Sequence, residues 1–125
     1  MIEDHTLESK HSLIKSFGFA FEGIKAEFKK GRNFRIQVFS GIAATALGIV
    51  LKISRVEWLV LILVISLVII LELINTATEQ IVNIISPEIR SEAKIAKDVS
   101  AGAVLVASIA ATLAGVLIFL PKILS

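Results

Sequence analysis

A chain of 125 residues that is 55% hydrophobic, with mean hydropathy +0.84 and no cysteine, excludes disulfides, thiolate chemistry and an ordinary soluble domain. Thirteen basic against eleven acidic residues leave a net charge of +2, too small an excess for a nucleic-acid-binding surface. Strand-like alternation is absent, so a single all-α membrane domain over 1–125 is expected.

The N-terminal stretch Met1 to Lys10 is polar and charged, and the first apolar helix lies too far inside to be the core of a cleavable signal. A helix over about 6–30 places Leu13, Phe17, Phe21, Ile24 and Phe28 on one face and Lys15, Glu22, Lys25 and Lys29 on the other. This pattern suits a helix lying in the membrane interface. Three spans follow, over about 34–52, 57–86 and 92–120, the second stopped by Pro87 and the third ended by Pro121. Small residues (Gly41, Ala44, Thr45 and Gly48 on the first span, Ala103, Ala107, Ala110, Ala111 and Ala114 on the third) allow close helix approach, within one chain or between chains. Trp58 at the start of the second span reads as an interfacial anchor.

Ten basic residues, from Lys10 to Arg35 and in Arg90, Lys94 and Lys97, fall on one side of these spans. Three, Lys52, Arg55 and Lys122, fall on the other. The bias of basic residues toward the inner side puts the N-terminus in the cytoplasm and the C-terminus outside.

The second span carries the informative feature. Its apolar run from Trp58 to Leu71 continues directly into Glu72-Leu73-Ile74-Asn75-Thr76-Ala77-Thr78-Glu79. At helical spacing Glu72, Asn75, Glu79 and Asn83 share one face, with Thr76 beside them. Ionisable groups at membrane depth are costly and mark function. Glu72 sits roughly 10 Å deeper than Glu79, at about 1.5 Å of rise per residue. A carboxylate at that depth suits a general base for a hydroxyl presented by a lipid. One at the interface suits Mg²⁺, which takes one or two protein carboxylates together with phosphate oxygens and water. Lys97 and Asp98, at the start of the third span, suit phosphate charge and its positioning. Together these are the parts of a phosphoryl-transfer site, although an ion or proton pathway uses the same residue types.

Other signals are weak. Gly18 to Lys25 only loosely matches a phosphate-binding loop and lies inside the amphipathic helix without a preceding strand. His5 and His11 read as solvated, and the seven Phe residues as lipid or core contacts rather than a base-stacking surface.

The chain resembles the small prokaryotic integral-membrane diacylglycerol kinase family, in its Gram-positive, undecaprenol kinase type. The matching stretches are Ser16-Phe17, Ala20 to Ile24, Arg32-Asn33-Phe34-Arg35-Ile36, Leu71 to Ala77, Ser86-Pro87-Glu88 and Ala93 to Asp98. The resemblance implies a homotrimer in the bacterial cytoplasmic membrane, with sites shared between neighbouring chains. It also implies that ATP and Mg²⁺ enter from the cytoplasm and that a lipid alcohol arrives within the membrane. In that scheme Glu72 is the general base, Glu79 binds the metal, Asn75, Lys97 and Asp98 organise the nucleotide, and Glu88 belongs to a nucleotide-contacting loop. Three positions depart from the family pattern. Gly31 stands where a second metal-binding Glu is usual, Phe19 replaces a common Tyr, and Ile89-Arg90 replaces Tyr-His. Either Glu79 with the phosphates suffices for the metal, or Glu27, one turn before Gly31, substitutes as a ligand, or the chain is a silent homologue. Survival of Glu72, Asn75, Glu79, Lys97 and Asp98 together favours retained activity. The expected function is therefore an ATP- and Mg-dependent kinase of a lipid alcohol, undecaprenol first and diacylglycerol second. The reading from another class is a non-catalytic or ion-conducting trimer.

Overall fold

The computed structural model describes residues 2–88 and 90–125, and side chains from residue 12 onward apart from residue 89. The readings of His5 and His11 as solvated, and of Ile89, fall outside the described side chains. The chain forms two compact units, Met1–Arg32 and Asn33–Ser125.

The first unit is helix α1, Ile2–Lys30. In its apolar row Leu13, Phe17 and Phe21 are well exposed, and Ile24 and Phe28 less so. Lys29 and Lys30 in the last turn complement the helix dipole, and the Gly31 amide donates to the Glu27 carbonyl at 2.6 Å.

The second unit carries α2 (Arg32–Leu51, whose first residue closes the first unit), α3 (Arg55–Ile85) and α4 (Ser91–Leu124). All three helices are long and apolar enough to cross a membrane. Many of their large aliphatic side chains, such as Leu63, Ile70, Val106 and Leu117, remain exposed, as lipid-facing surface requires and a water-facing surface would not tolerate.

The turn from α2 to α3 is built from local chemistry. Lys52 adopts a left-handed φ of 52°. Its amide donates to the Ile49 carbonyl at 3.3 Å and the Ile53 amide to the Gly48 carbonyl at 3.2 Å, closing the helix as a Schellman motif. Ser54 then caps α3 reciprocally: the Glu57 amide donates to Ser54 Oγ at 3.2 Å and the Ser54 amide to Glu57 Oε1 at 3.0 Å. At the other end α3 stops at Ile85, as Pro87 dictates by disfavouring helical backbone in the residue before it.

Two side-chain pairs fix the antiparallel register of α3 and α4. Lys122 Nζ meets Glu57 Oε1 at 3.1 Å near one end, and Lys97 Nζ donates to Asn83 Oδ1 at 2.6 Å near the other. The same register sets Glu72 level with Ala107 and Ser108. The Glu57–Lys122 pair also accounts for a correction. Pro121 does not end the third span but lies inside α4, which continues to Leu124. Proline removes one backbone bond within the final turn, where little helix remains to be lost, and the ion pair of Lys122 holds that turn in place.

A buried hydrophobic cluster lies near the α2–α3 turn, and Phe34, Val68 and Ala107 are buried outside it, the last two beside Glu72. Ile53, Leu61, Ile118 and Phe119 form the cluster, with Ala44, Leu51, Trp58 and Ile65 packed around them. Gly41 and Gly48 are points of close approach on α2: a Cβ on Gly41 would lie 3.0 Å from Ile65 Cγ2, and one on Gly48 would lie 2.8 Å from Trp58 Cη2. Gly41, Ala44, Gly48 and Ala107 thus pack within the chain, whereas Ala103 and Ala110 stay exposed. Trp58 is half-buried over Gly48, a packing role besides the interfacial one. Gly48→Leu overpacks this contact and is expected to cost about 1–3 kcal/mol. Thermal unfolding in detergent measures the loss, and emission from Trp58, the chain's one Trp, reports displacement of its ring.

Candidate active site

The stripe on α3 survives folding as one graded face. Glu72 is 6% exposed, the one buried charged side chain among the described residues, and it engages a neighbour within the chain. Its burial results from where it stands: one turn after Val68 (4% exposed) and level with Ala107 (4% exposed) on α4. Asn75, Thr76 and Glu79 are half-buried and Asn83 is exposed, so the face opens step by step toward the α3–α4 turn. Asn75 Oδ1 is buried without a hydrogen-bond partner among the described residues. A buried amide oxygen left unpaired costs about 1–3 kcal/mol, and it lies on the same face as two carboxylates.

At the open end, the α3–α4 turn and the first turns of α4 enclose a recess of about 200 Å³, lined by Asn83, Ser86, Glu88, Arg90, Lys94 and Lys97 among others. Ser86 Oγ donates to the Glu88 carbonyl at 3.1 Å, which shapes the turn. Arg90 pairs with Glu88 at 3.4 Å and Lys94 with Asp98 at 2.6 Å.

Helical spacing puts Glu72, Asn75 and Glu79 on one face, and the structure keeps them there. It brings Lys97 to the same helix through Asn83 and puts Glu88 on the same recess. It does not bring Asp98 to α3, since that carboxylate is held by Lys94 one turn earlier on α4. Glu27 lies in the first unit. One of its carboxylate oxygens occupies the space that a Cβ on Gly31 would fill, with Glu27 Cδ 2.9 Å from that position. The smallness of residue 31 thus leaves room for a carboxylate. Spacing also sets Asn83 on the stripe without giving it work to do. It gives no warning of Gln37, whose Nε2 donates to Ser108 Oγ at 3.3 Å across α2 and α4; a Gln just inside an apolar span is the available signal.

The donor set can be tested against Mg²⁺ directly. The described residues hold no cluster of three acidic or imidazole ligands, so a fully protein-made cage is absent among them. Glu79, half-buried and without an ion pair among the described residues, and the unpaired Asn75 Oδ1 are oxygen donors one turn apart. That is the sparse oxygen set Mg²⁺ accepts when phosphate and water complete its shell.

Among the described residues, three helices of membrane-spanning length, with a carboxylate buried in one of them above a cation-lined recess, define an integral membrane protein with a charge-bearing site where α3 meets α4. The family model described as prokaryotic diacylglycerol kinase matches residues 18–119, and the chain belongs to that family of lipid kinases. It is 43% identical over 115 residues to a diacylglycerol kinase of Synechocystis, covering 91% of this chain and 66% of that one. It is 37% identical over 121 residues to the undecaprenol kinase of Bacillus subtilis, covering 97% and 98% of the two chains. To the diacylglycerol kinase of Escherichia coli K12 it is 30% identical over 101 residues, 81% of this chain and 83% of that one.

Proposed function

We propose that this chain phosphorylates undecaprenol, moving the γ-phosphoryl group of ATP to the lipid hydroxyl at the cytoplasmic side of the membrane. The observation that carries the chemistry is the burial of Glu72 on the face that leads, through Asn75 and Glu79, to Lys97 and the recess. The near end-to-end match with the Bacillus undecaprenol kinase supports the acceptor.

In this reading the lipid presents its hydroxyl at the depth of Glu72, which takes the proton as the hydroxyl oxygen attacks the γ-phosphorus. The bond to the β–γ bridging oxygen breaks and ADP leaves. Lys97 meets negative charge on the phosphates, Asn75 and Glu79 are the oxygen donors that would hold Mg²⁺, and Glu88 and Asp98 lie at the rim of the nucleotide site. When bound, Mg²⁺ would neutralise phosphate charge and orient the chain of phosphates. The carboxylate that Glu27 lays over Gly31 makes it the candidate substitute for the usual acidic residue there.

A homotrimer accommodates one feature of the single chain, the exposed alanines Ala103 and Ala110, which are suited to a neighbouring helix because small residues allow close approach. The basic-residue bias supports a cytoplasmic N-terminus and an external C-terminus.

The Synechocystis relative, at 43% identity, favours diacylglycerol as the second reading. Purified protein given ATP, Mg²⁺ and either lipid in the same micelles separates the two. The expected result is a kcat/KM for undecaprenol about tenfold or more above that for diacylglycerol; the reverse order would make diacylglycerol the substrate.

A further inference from the structure

Three cations line the recess at the α3–α4 turn, and they are not equivalent. Arg90 is paired with the carboxylate of Glu88 at 3.4 Å and Lys94 with that of Asp98 at 2.6 Å. Lys97 is held at 2.6 Å by the amide oxygen of Asn83, a neutral group. Among the described residues, Lys97 is therefore the recess cation whose charge no carboxylate of the chain cancels. An amide acceptor fixes a lysine ammonium as a carboxylate would, by occupying one of its three donors. Unlike a carboxylate, it leaves the positive charge available to a ligand. Asn83 lies on the same α3 face as Glu79, one turn further on. Its bond crosses from α3 to α4, so it ties the ammonium to the helix that carries the acidic stripe.

We propose that Asn83 is a positioning residue that aims Lys97 into the recess and keeps its charge for the nucleotide phosphates. The assignment rests on the kinase reading above for the identity of the ligand. Neutrality is the working property: an aspartate at this position would hold Lys97 equally well and bind it as an internal ion pair, in competition with phosphate.

The test titrates ATP with Mg²⁺ onto the purified full-length protein in micelles, alongside steady-state turnover. It compares wild type with Asn83→Asp, Asn83→Leu, Asn83→Gln, Lys97→Met and the double variant Asn83→Leu/Lys97→Met. Asn83→Asp is expected to weaken ATP binding about tenfold and to raise the KM for ATP in parallel, the KM for the lipid staying unchanged. Added salt should narrow that gap, because the effect is electrostatic. Asn83→Leu is expected to weaken binding about threefold through loss of the tether, and Asn83→Gln, which keeps the carbonyl, to bind more tightly than Asn83→Leu. The double variant should be no worse than Lys97→Met alone, since Asn83 acts through Lys97. Wild-type affinity in Asn83→Asp, or full additivity in the double variant, would overturn the assignment. A wild-type protein that binds ATP but transfers no phosphoryl group would sink the kinase reading and leave Asn83 to be judged on binding. One that binds no ATP would overturn both.

Discussion

Glu72→Gln is expected to lower kcat by about 10²- to 10⁴-fold, the range lost when a positioned general base is removed. The substitution preserves shape and hydrogen-bonding capacity while abolishing the ability to accept a proton. Glu72 is buried at 6% exposure in a span of high hydropathy, where a neutral amide is cheaper to hold than a carboxylate. The variant should therefore fold and remain at least as stable as wild type. The recess that would receive the nucleotide lies at the α3–α4 turn and does not include Glu72, so ATP affinity should persist. The expected pattern is a collapse of kcat with the KM for ATP nearly unchanged and an undiminished melting temperature. A kcat within about threefold of wild type would remove Glu72 from the chemistry.

Glu79→Ala should fail differently. Glu79 is half-buried and lies between Asn75 and Asn83 on the same face, where it is the carboxylate best placed to meet a hard cation together with phosphate oxygens. Its removal is expected to reduce turnover by at least about 10²-fold at ordinary Mg²⁺, and to raise the Mg²⁺ concentration for half-maximal activity by about tenfold. A Mg²⁺ titration of initial rates distinguishes the two carboxylates. Glu72→Gln should keep the wild-type Mg²⁺ midpoint at a much lower ceiling, and Glu79→Ala should shift the midpoint itself. An unshifted midpoint in Glu79→Ala would place the metal elsewhere.

The polar stripe on α3 separates what the sequence discloses from what it withholds. An uninterrupted apolar run that turns polar on one face has few physical interpretations, so Glu72 and its stripe are legible in the order of residues alone. The helix boundaries come from local rules: Pro87 ends α3, and the reciprocal Ser54–Glu57 cap seen in the structure starts it at Arg55, two residues before the expected 57. Pro121 obeys the same rule less strictly, because a proline's effect depends on how much helix lies beyond it, and the partner of Lys122 is Glu57, far off in sequence. The partners of Lys97 and Asp98 are hidden for a related reason. Both sit at the start of α4, and which of them reaches α3 is decided by the register set by the short connection between α3 and α4. One residue of slip would exchange their roles. The structure gives Asn83 to Lys97 and leaves Asp98 with Lys94 on its own helix. The space over Gly31 is likewise out of reach, since spacing says that Glu27 is one turn away but not that its carboxylate lies across the glycine.

Coupled transfer between a nucleotide and a lipid hydroxyl is the central claim. The purified chain, supplied with γ-labelled ATP, Mg²⁺ and undecaprenol in micelles, should deposit one labelled phosphate on the lipid for each ADP released, with no label appearing as free phosphate. ADP release accompanied by inorganic phosphate, or label absent from both undecaprenol and diacylglycerol, would contradict it.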